Sequence, residues 1–151
     1  MKTTKKYGEQ IDLALSMWVK LVRAHSVFAK KSLDDIRRYG LTEPQFGALE
    51  CLGHLGPMTI GNLCSKQLVS GGNMTLVVDN LEKEGLVERV HSKEDRRTII
   101  VQLTSKGEQR FNEIFLQHAE IIKDLTSVLT NDEQVQLSGL LKKLGFALKD
   151  K

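Results

Sequence analysis

Apolar residues recur at helical spacing along most of the chain and alternate in only one short stretch. Over about residues 9–39 they stand three and four positions apart, which predicts a long first helix. Gly40 suits the position after that helix, because glycine accepts a left-handed backbone. The same spacing predicts helices over about 43–56, 60–67 and 71–84, a long helix from about 105, and a last helix from about 131.

Hydroxyl and amide side chains mark where these helices begin. Thr42 and Gln45 have the spacing of a capping box, in which each side chain bonds the other residue's backbone N–H. Thr104 or Ser105 starts the long helix near 105, and Ser105 with Glu108 has the spacing of a second box. We expect the remaining N-caps to be Thr59, Ser70 and Asn131.

Between residues 87 and 103 the apolar period changes from helical to two. Residues 87–90 and 98–103 read as strands, and the polar loop 91–97 joins them into a hairpin with a charged tip. The predicted fold class is therefore mainly α with a small β-hairpin wing. The order of two short helices and a hairpin between longer helices predicts a winged helix-turn-helix over 41–104, with helical regions at 1–40 and 105–151.

Composition leaves the function open. The net charge is only +3, so a case for nucleic-acid binding must come from where particular residues lie. Cys51 and Cys64 do not make a disulfide scaffold, and no apolar run has the length of a membrane span. We expect a protein of the reducing cytoplasm, with no membrane partner.

The second short helix is the segment that would enter the major groove of DNA, with its N-terminal residues at the base edges. The residues there are small or polar, and such side chains can hydrogen-bond bases and phosphates. They could alternatively serve as helix caps or face solvent. The candidate DNA-binding residues of this segment are Ser70, Gly71, Gly72, Asn73 and Thr75.

The hairpin tip carries the second set of candidate DNA-binding residues, Lys93, Asp95, Arg96 and Arg97. An arginine on a projecting loop can enter a narrow minor groove, where the negative potential is strongest. We expect Asp95 to hold a neighbouring guanidinium in one orientation and so reduce the entropy lost on binding. Alternatively, these charged residues form a solvent-exposed turn with no role in binding.

These motifs together resemble the MarR (multiple antibiotic resistance regulator) family of transcriptional regulators. The resemblance covers residues 41–107. It rests on the segments Leu41-Thr42, Leu63, Met74-Thr75, Val78-Asp79-Asn80-Leu81-Glu82, Gly85-Leu86-Val87, Asp95-Arg96-Arg97, Leu103-Thr104 and Gly107. The stretch 69–79 is most similar to a branch that responds to quinones and phenolic compounds. Leu76 departs from the pattern, because the family often has arginine there.

The resemblance implies a homodimeric repressor built on the long N- and C-terminal helices. Its two recognition helices would read a roughly palindromic operator in double-stranded DNA. A small aromatic effector or oxidation of a cysteine would release the DNA.

Four aromatic residues could line an effector pocket, although core packing is the better interpretation. They are Trp18, Phe28, Tyr39 and Phe46. The four histidines lack metal-ligand spacing, and we find no catalytic motif and no cofactor signature, so we predict no metal, no cofactor and no enzymatic activity. Two alternatives stay open: a winged-helix module that binds protein instead of DNA, and a repressor that senses oxidants through Cys51 or Cys64.

Overall fold

A computed structural model describes residues 6–67 and 71–149, and these residues form two compact units that divide between His118 and Ala119. The described residues confirm the predicted fold class of helices with one small antiparallel hairpin. In chain order the elements are α1 (Glu9–Arg37), α2 (Glu43–Leu55), α3 (Ile60–Gln67), α4 (Gly71–Lys83), β1 (Val87–His91), β2 (Ile99–Leu103), α5 (Ser105–Thr126) and α6 (Asn131–Lys149).

Two of the predicted N-caps are confirmed. At the start of α2, the Thr42 hydroxyl accepts from the Gln45 N–H at 3.4 Å, and Gln45 Oε1 accepts from the Thr42 N–H at 2.9 Å. At the start of α3, the Thr59 hydroxyl accepts from the Asn62 N–H at 3.2 Å. Each bond satisfies a backbone donor that has no partner inside the helix. The predicted cap at Ser70 lies outside the described residues.

The predicted capping box of Ser105 and Glu108 is wrong. Thr104 caps α5 instead, and its hydroxyl accepts from the Gly107 N–H at 3.0 Å. The same hydroxyl donates to the Gly85 carbonyl at 2.6 Å. This contact anchors Thr104 at the end of the hairpin, so the helix starts at the following residue.

The predicted cap of α6 at Asn131 is also wrong, by one residue. Thr130 and Glu133 form the reciprocal box: the Glu133 carboxylate accepts from the Thr130 N–H at 2.8 Å, and the Thr130 hydroxyl accepts from the Glu133 N–H at 3.3 Å. This arrangement satisfies two backbone donors where an asparagine cap would satisfy one. Asn131 is therefore the first residue of the helix.

The core of the first unit is formed where α2, α3, α4 and the hairpin meet. Its fully buried side chains are Leu49, Leu63, Met74, Val78, Leu81, Val87, Val101 and Ile114. The hairpin pairs Val87 with Leu103 and His91 with Ile99, and Met58 extends this sheet by one bridge to Val101. Ile36 of α1 and Phe111 of α5 belong to the same core. The ends of both long helices therefore pack into the lobe that holds the short ones.

Two close contacts fix α5 within this unit. A Cβ on Gly107 would lie 1.9 Å from the Leu86 carbonyl oxygen, so only glycine fits there. Further along α5, the His118 Nδ1–H donates to the Asp35 carboxylate of α1 at 2.8 Å, and both side chains are buried. The Phe46 ring packs edge-on against the His118 imidazole, with centroids 4.8 Å apart. Helices α1, α2 and α5 thus meet at one buried polar pair.

Both long terminal helices leave apolar side chains exposed in the single chain. On α1 they include Ile11, Leu15, Trp18 and Val22, which stand three or four positions apart. On α6, in the second unit, they are Val135, Leu137, Leu140, Leu141, Phe146 and Leu148. Across the described residues, no helix is both long and apolar enough to cross a membrane.

Candidate nucleic-acid interface

Helix α4 is anchored to the core by one face and exposes the other. Met74, Val78 and Leu81 are fully buried, and their spacing of four and three keeps them on one side of the helix. Asn73 and Thr75 are exposed. The packing of α4 against α2 and α3 therefore leaves its outer face free to meet a partner.

The first turn of α4 is open. Among the described residues, added Cβ atoms at Gly71 and Gly72 would meet nothing within 4 Å, so a phosphate or base edge could approach the backbone closely there. The Thr75 hydroxyl donates to the Gly71 carbonyl at 3.1 Å, which leaves its lone pairs for a further contact. Ser70, the remaining candidate of this segment, lies outside the described residues.

The wing projects as the loop between β1 and β2. Lys93, Arg96 and Arg97 are exposed, and within the described chain none of these three cationic side chains has a protein partner. The two arginines are held by their backbones instead: the Arg96 carbonyl lies 2.8 Å from His91 Nδ1, and the Arg97 N–H donates to the Asp95 carboxylate. The tip therefore offers three charges that a polyanion could pair.

The expected role of Asp95 is wrong. Its carboxylate accepts from the backbone N–H of Arg97 at 2.9 Å and from the Thr98 hydroxyl at 3.0 Å. Both carboxylate oxygens are occupied by these neighbours, and this pattern is an Asx turn. Asp95 shapes the backbone of the tip and does not orient a guanidinium.

Arg89 is a residue that holds this site together, and the sequence analysis did not predict it. Its guanidinium bonds Asp79 of α4 at 2.6 Å and also bonds the Glu82 carboxylate. The Arg89 N–H donates to the same Glu82 at 3.1 Å. Burial lowers the pKa of Arg89, but the bonds to Asp79 and Glu82 outweigh it and the pKa is raised. These bonds tie the outer helix to the first strand of the wing.

The sequence offered one weak signal for this network, since Asp79 and Glu82 share a face of α4 at a spacing of three. Their partner lies seven and ten residues further on, so only the docking of β1 against α4 brings the groups together.

The four aromatic residues proposed for a pocket occupy different environments. Trp18 is 58% exposed on α1, whereas Phe46 is buried in the core. Phe28 is exposed on α1, and Tyr39 packs against the edge of the core. In the described chain, a cavity of about 390 Å³ lies between the end of α2, β2 and the start of α5, and none of the four lines it. The effector pocket therefore stays a prediction.

The two cysteines are half-buried thiols. Burial, and then the charge of Glu50, raises the pKa of Cys51. A raised pKa lowers the fraction of thiolate, the form that reacts with oxidants. Among the described residues, no three His, Cys, Asp or Glu side chains are grouped as metal ligands.

This geometry defines a winged helix-turn-helix, and comparisons with known proteins give its family. Residues 41–99 match the MarR family. The chain is 34% identical over 138 residues to the uncharacterized HTH-type transcriptional regulator YkoM of Bacillus subtilis, covering 91% of this chain and 90% of that protein. It is also 34% identical to the HTH-type transcriptional regulator MhqR of the same organism, covering 91% and 95%.

Solved structures of the family share the fold. A mutant MarR from E. coli complexed with operator DNA superposes with a TM-score of 0.75 at 24% identity, covering 91% of this chain and 99% of that one. NadR in complex with 4-hydroxyphenylacetate gives a TM-score of 0.74 at 23% identity, covering 95% and 97%. The chain belongs to the MarR family, and it is a DNA-binding transcriptional regulator of the winged helix-turn-helix class.

Proposed function

We propose that this regulator is a homodimeric repressor that reads a roughly palindromic operator with α4 and the wing. The observation that carries the proposal is the joint exposure of Asn73 and Thr75 on α4 and of three unpaired cations at the wing tip. A helix of this kind enters the major groove, while an arginine on the wing reaches the adjacent minor groove or phosphates. In this proposal Asn73 and Thr75 meet base edges, and Lys93, Arg96 and Arg97 meet the backbone or minor groove.

The exposed apolar face of α1 supports the dimer. Ile11, Leu15, Trp18 and Val22 form a stripe that a single chain leaves in water. Burial of apolar area stabilises association by roughly 25 cal/mol per Å². A two-fold dimer also explains a palindromic operator, because two identical recognition helices face two identical half-sites. The dimerising regions are then residues 1–40 and 105–151, and residues 41–104 bind DNA.

We propose a small phenolic or quinone compound as the effector. One structural relative supports this class, NadR, which was solved with 4-hydroxyphenylacetate. The resemblance of residues 69–79 to a branch of the family that responds to quinones and phenolic compounds points the same way. Trp18, Phe28, Tyr39 and Phe46 are the candidate lining residues. Such a ligand releases DNA only if it binds more tightly to a dimer whose recognition helices are misplaced for the operator.

Three other functions are less well supported. A protein-binding winged helix is disfavoured because cations gather at the wing tip. A redox switch at Cys51 is disfavoured by the raised pKa of its thiol. Ser32, His118 and Asp35 stand in the order of a hydrolase triad, with Ser32 Oγ 3.5 Å from His118 Nε2. However, His118 bonds Asp35 of α1 and packs against Phe46 of α2, which assigns this pair to the packing of three helices, so we propose no enzymatic activity. We also propose that the protein acts on DNA in the cytoplasm.

The test is fluorescence anisotropy with the DNA upstream of the protein's own gene and a shuffled duplex as control. We expect selective binding that phenols or quinones reverse. Phe28→Ala should raise the effector concentration needed for release, while Tyr7→Ala, which removes another exposed aromatic ring, should not. If the protein bound every duplex drawn from the whole genome with the same affinity as shuffled DNA, the proposal of a sequence-specific repressor would be refuted. Release that no phenol or quinone produces would refute the effector class alone.

A further inference from the structure

Leu76 is an apolar side chain in the middle of the outer face of α4. It is 59% exposed, two positions after the buried Met74. At about 100° per residue, two positions place it about 200° around the helix, directly opposite the face that enters the core. Single exposed leucines are common on protein surfaces. The position of Leu76, and not its exposure alone, therefore requires an explanation.

The surroundings of Leu76 leave it as the projecting group of this face. One turn earlier stands Gly72, which has no side chain and open space around it. One turn later, the Asp79 carboxylate is bound to Arg89 at 2.6 Å. Asn73, three positions before Leu76, is polar and exposed, so Leu76 is the apolar group that this face presents. When α4 lies in the major groove, this side chain points to the groove floor.

The floor of the major groove offers one apolar group, the C5-methyl of thymine, among hydrogen-bond donors and acceptors. Leu76 can neither donate nor accept a hydrogen bond, so it would leave the polar edges of G·C pairs unsatisfied after displacing their water. We infer that Leu76 contacts thymine methyl groups and determines specificity for A·T pairs at the centre of each half-site. This inference rests on the proposed placement of α4 in the major groove.

The test replaces thymine by uracil, which removes the C5-methyl and leaves the base-pairing edge unchanged. A duplex is first selected from a random pool by the purified protein. Each thymine is then replaced in turn, and binding is measured for the wild type, for Leu76→Ala and for Leu55→Ala. Leu55 is the matched control, a leucine that is 58% exposed at the end of α2.

We expect uracil at one or two positions of each half-site to weaken binding of the wild type and of Leu55→Ala about four-fold. This is the size of effect expected from removing one buried methyl group. Leu76→Ala should bind the thymine duplex more weakly and should not distinguish thymine from uracil at those positions. Circular dichroism and the melting temperature establish that the variants are folded, and Leu76→Val should retain part of the discrimination.

The inference is overturned if replacing thymine by uracil changes the affinity of the wild type and of Leu76→Ala equally at every position. It is also overturned if the replacement changes neither affinity. A Leu76 that contacts a protein partner would give this result. Failure of DNA binding itself is seen separately, because the wild type would then enrich no duplex from the pool.

Discussion

The carboxylate of Asp95 fixes the backbone of the wing at the point where its two arginines begin. One oxygen accepts from the Arg97 N–H and the other from the Thr98 hydroxyl. The backbone N–H of Thr98 donates to the Asp95 carbonyl at 2.9 Å, which closes the turn. An acidic residue among DNA-facing cations is explained by this turn, which presents the arginines without pairing their charge.

We predict that Asp95→Ala weakens operator binding about five-fold, since a net contribution of about 1 kcal/mol is typical for such hydrogen bonds. Asp95→Asn should bind at least as well as the wild type, because an amide oxygen can still accept from Arg97 and a negative charge near DNA is removed. Anisotropy titrations at one salt concentration compare the two. If Asn and Ala weakened binding equally, the carboxylate charge and not the turn would be what matters.

At the scale of elements, Arg89 bonds α4 to β1 and so fixes the position of the recognition helix relative to the wing. The side chain of Arg89 is 23% exposed, while its partners Asp79 and Glu82 are 43% and 40% exposed. Water therefore screens the pairs considerably, and their value is that of a small surface network. The network positions α4 relative to β1, in addition to its small contribution to the stability of the fold.

We predict a coupling of about 1 kcal/mol between Arg89 and Glu82 in a double-mutant cycle of Arg89→Met and Glu82→Gln, measured by urea unfolding. The more exposed pair Arg37 and Asp34 is the matched control, with side chains 65% and 53% exposed, and should couple by less than about 0.5 kcal/mol. Arg89→Met should also weaken operator binding. Equal coupling energies in the two cycles would show that Arg89 stabilises the link between α4 and β1 no more than an ordinary surface pair.

A second element-scale prediction concerns the start of α5. Gly107→Ala should destabilise the fold by more than about 2 kcal/mol, because its Cβ would meet the Leu86 carbonyl oxygen and force backbone movement. Gly139→Ala in α6 is the control, since open space surrounds that position and alanine favours a helix by up to about 1 kcal/mol. Thermal unfolding of both variants provides the comparison, and similar melting temperatures would contradict the close contact.

These elements also separate what local sequence specifies from what it does not. Periodicity and the Thr42 cap located α2, because the relevant bonds join residues three apart. The sequence left the cap of α5 open between Thr104 and Ser105, because the two are equivalent locally, and the choice is made by a contact with Gly85, nineteen residues away. The binding of Arg89 to α4 has the same long-range character. The sequence indicates candidate residues where their function depends on a short motif. It does not indicate residues such as Arg89, whose contacts form only when separate elements pack together.

At the scale of the whole molecule, the exposed apolar stripe of α1 connects stability to DNA recognition. Trp18 is the largest side chain of this stripe and is 58% exposed in the single chain. A single copy would contact one half-site only. Dimer formation through this stripe would place a second recognition helix at the second half-site, and affinity would rise because that second binding event becomes intramolecular.

We predict that Trp18→Glu shifts the protein from dimer to monomer in sedimentation velocity and weakens operator binding at least ten-fold, because each copy would bury a charge in an apolar interface. Lys20→Glu, which changes a nearby exposed residue of α1, should leave the dimer intact. A Trp18→Glu protein that remains dimeric would place the interface elsewhere.

The role of the wing in DNA binding is best tested by the salt dependence of operator binding. We compare the wild type with the double variant Arg96→Ala/Arg97→Ala and use Lys142→Ala of α6 as control. We predict tight, selective binding by the wild type that weakens steeply with salt, because phosphate contacts release counterions. The double variant should bind more weakly, and the slope of log K against log salt should fall by about 1 for each phosphate that the variant no longer neutralises. An affinity and slope unchanged by the double variant would contradict the wing as part of the DNA interface.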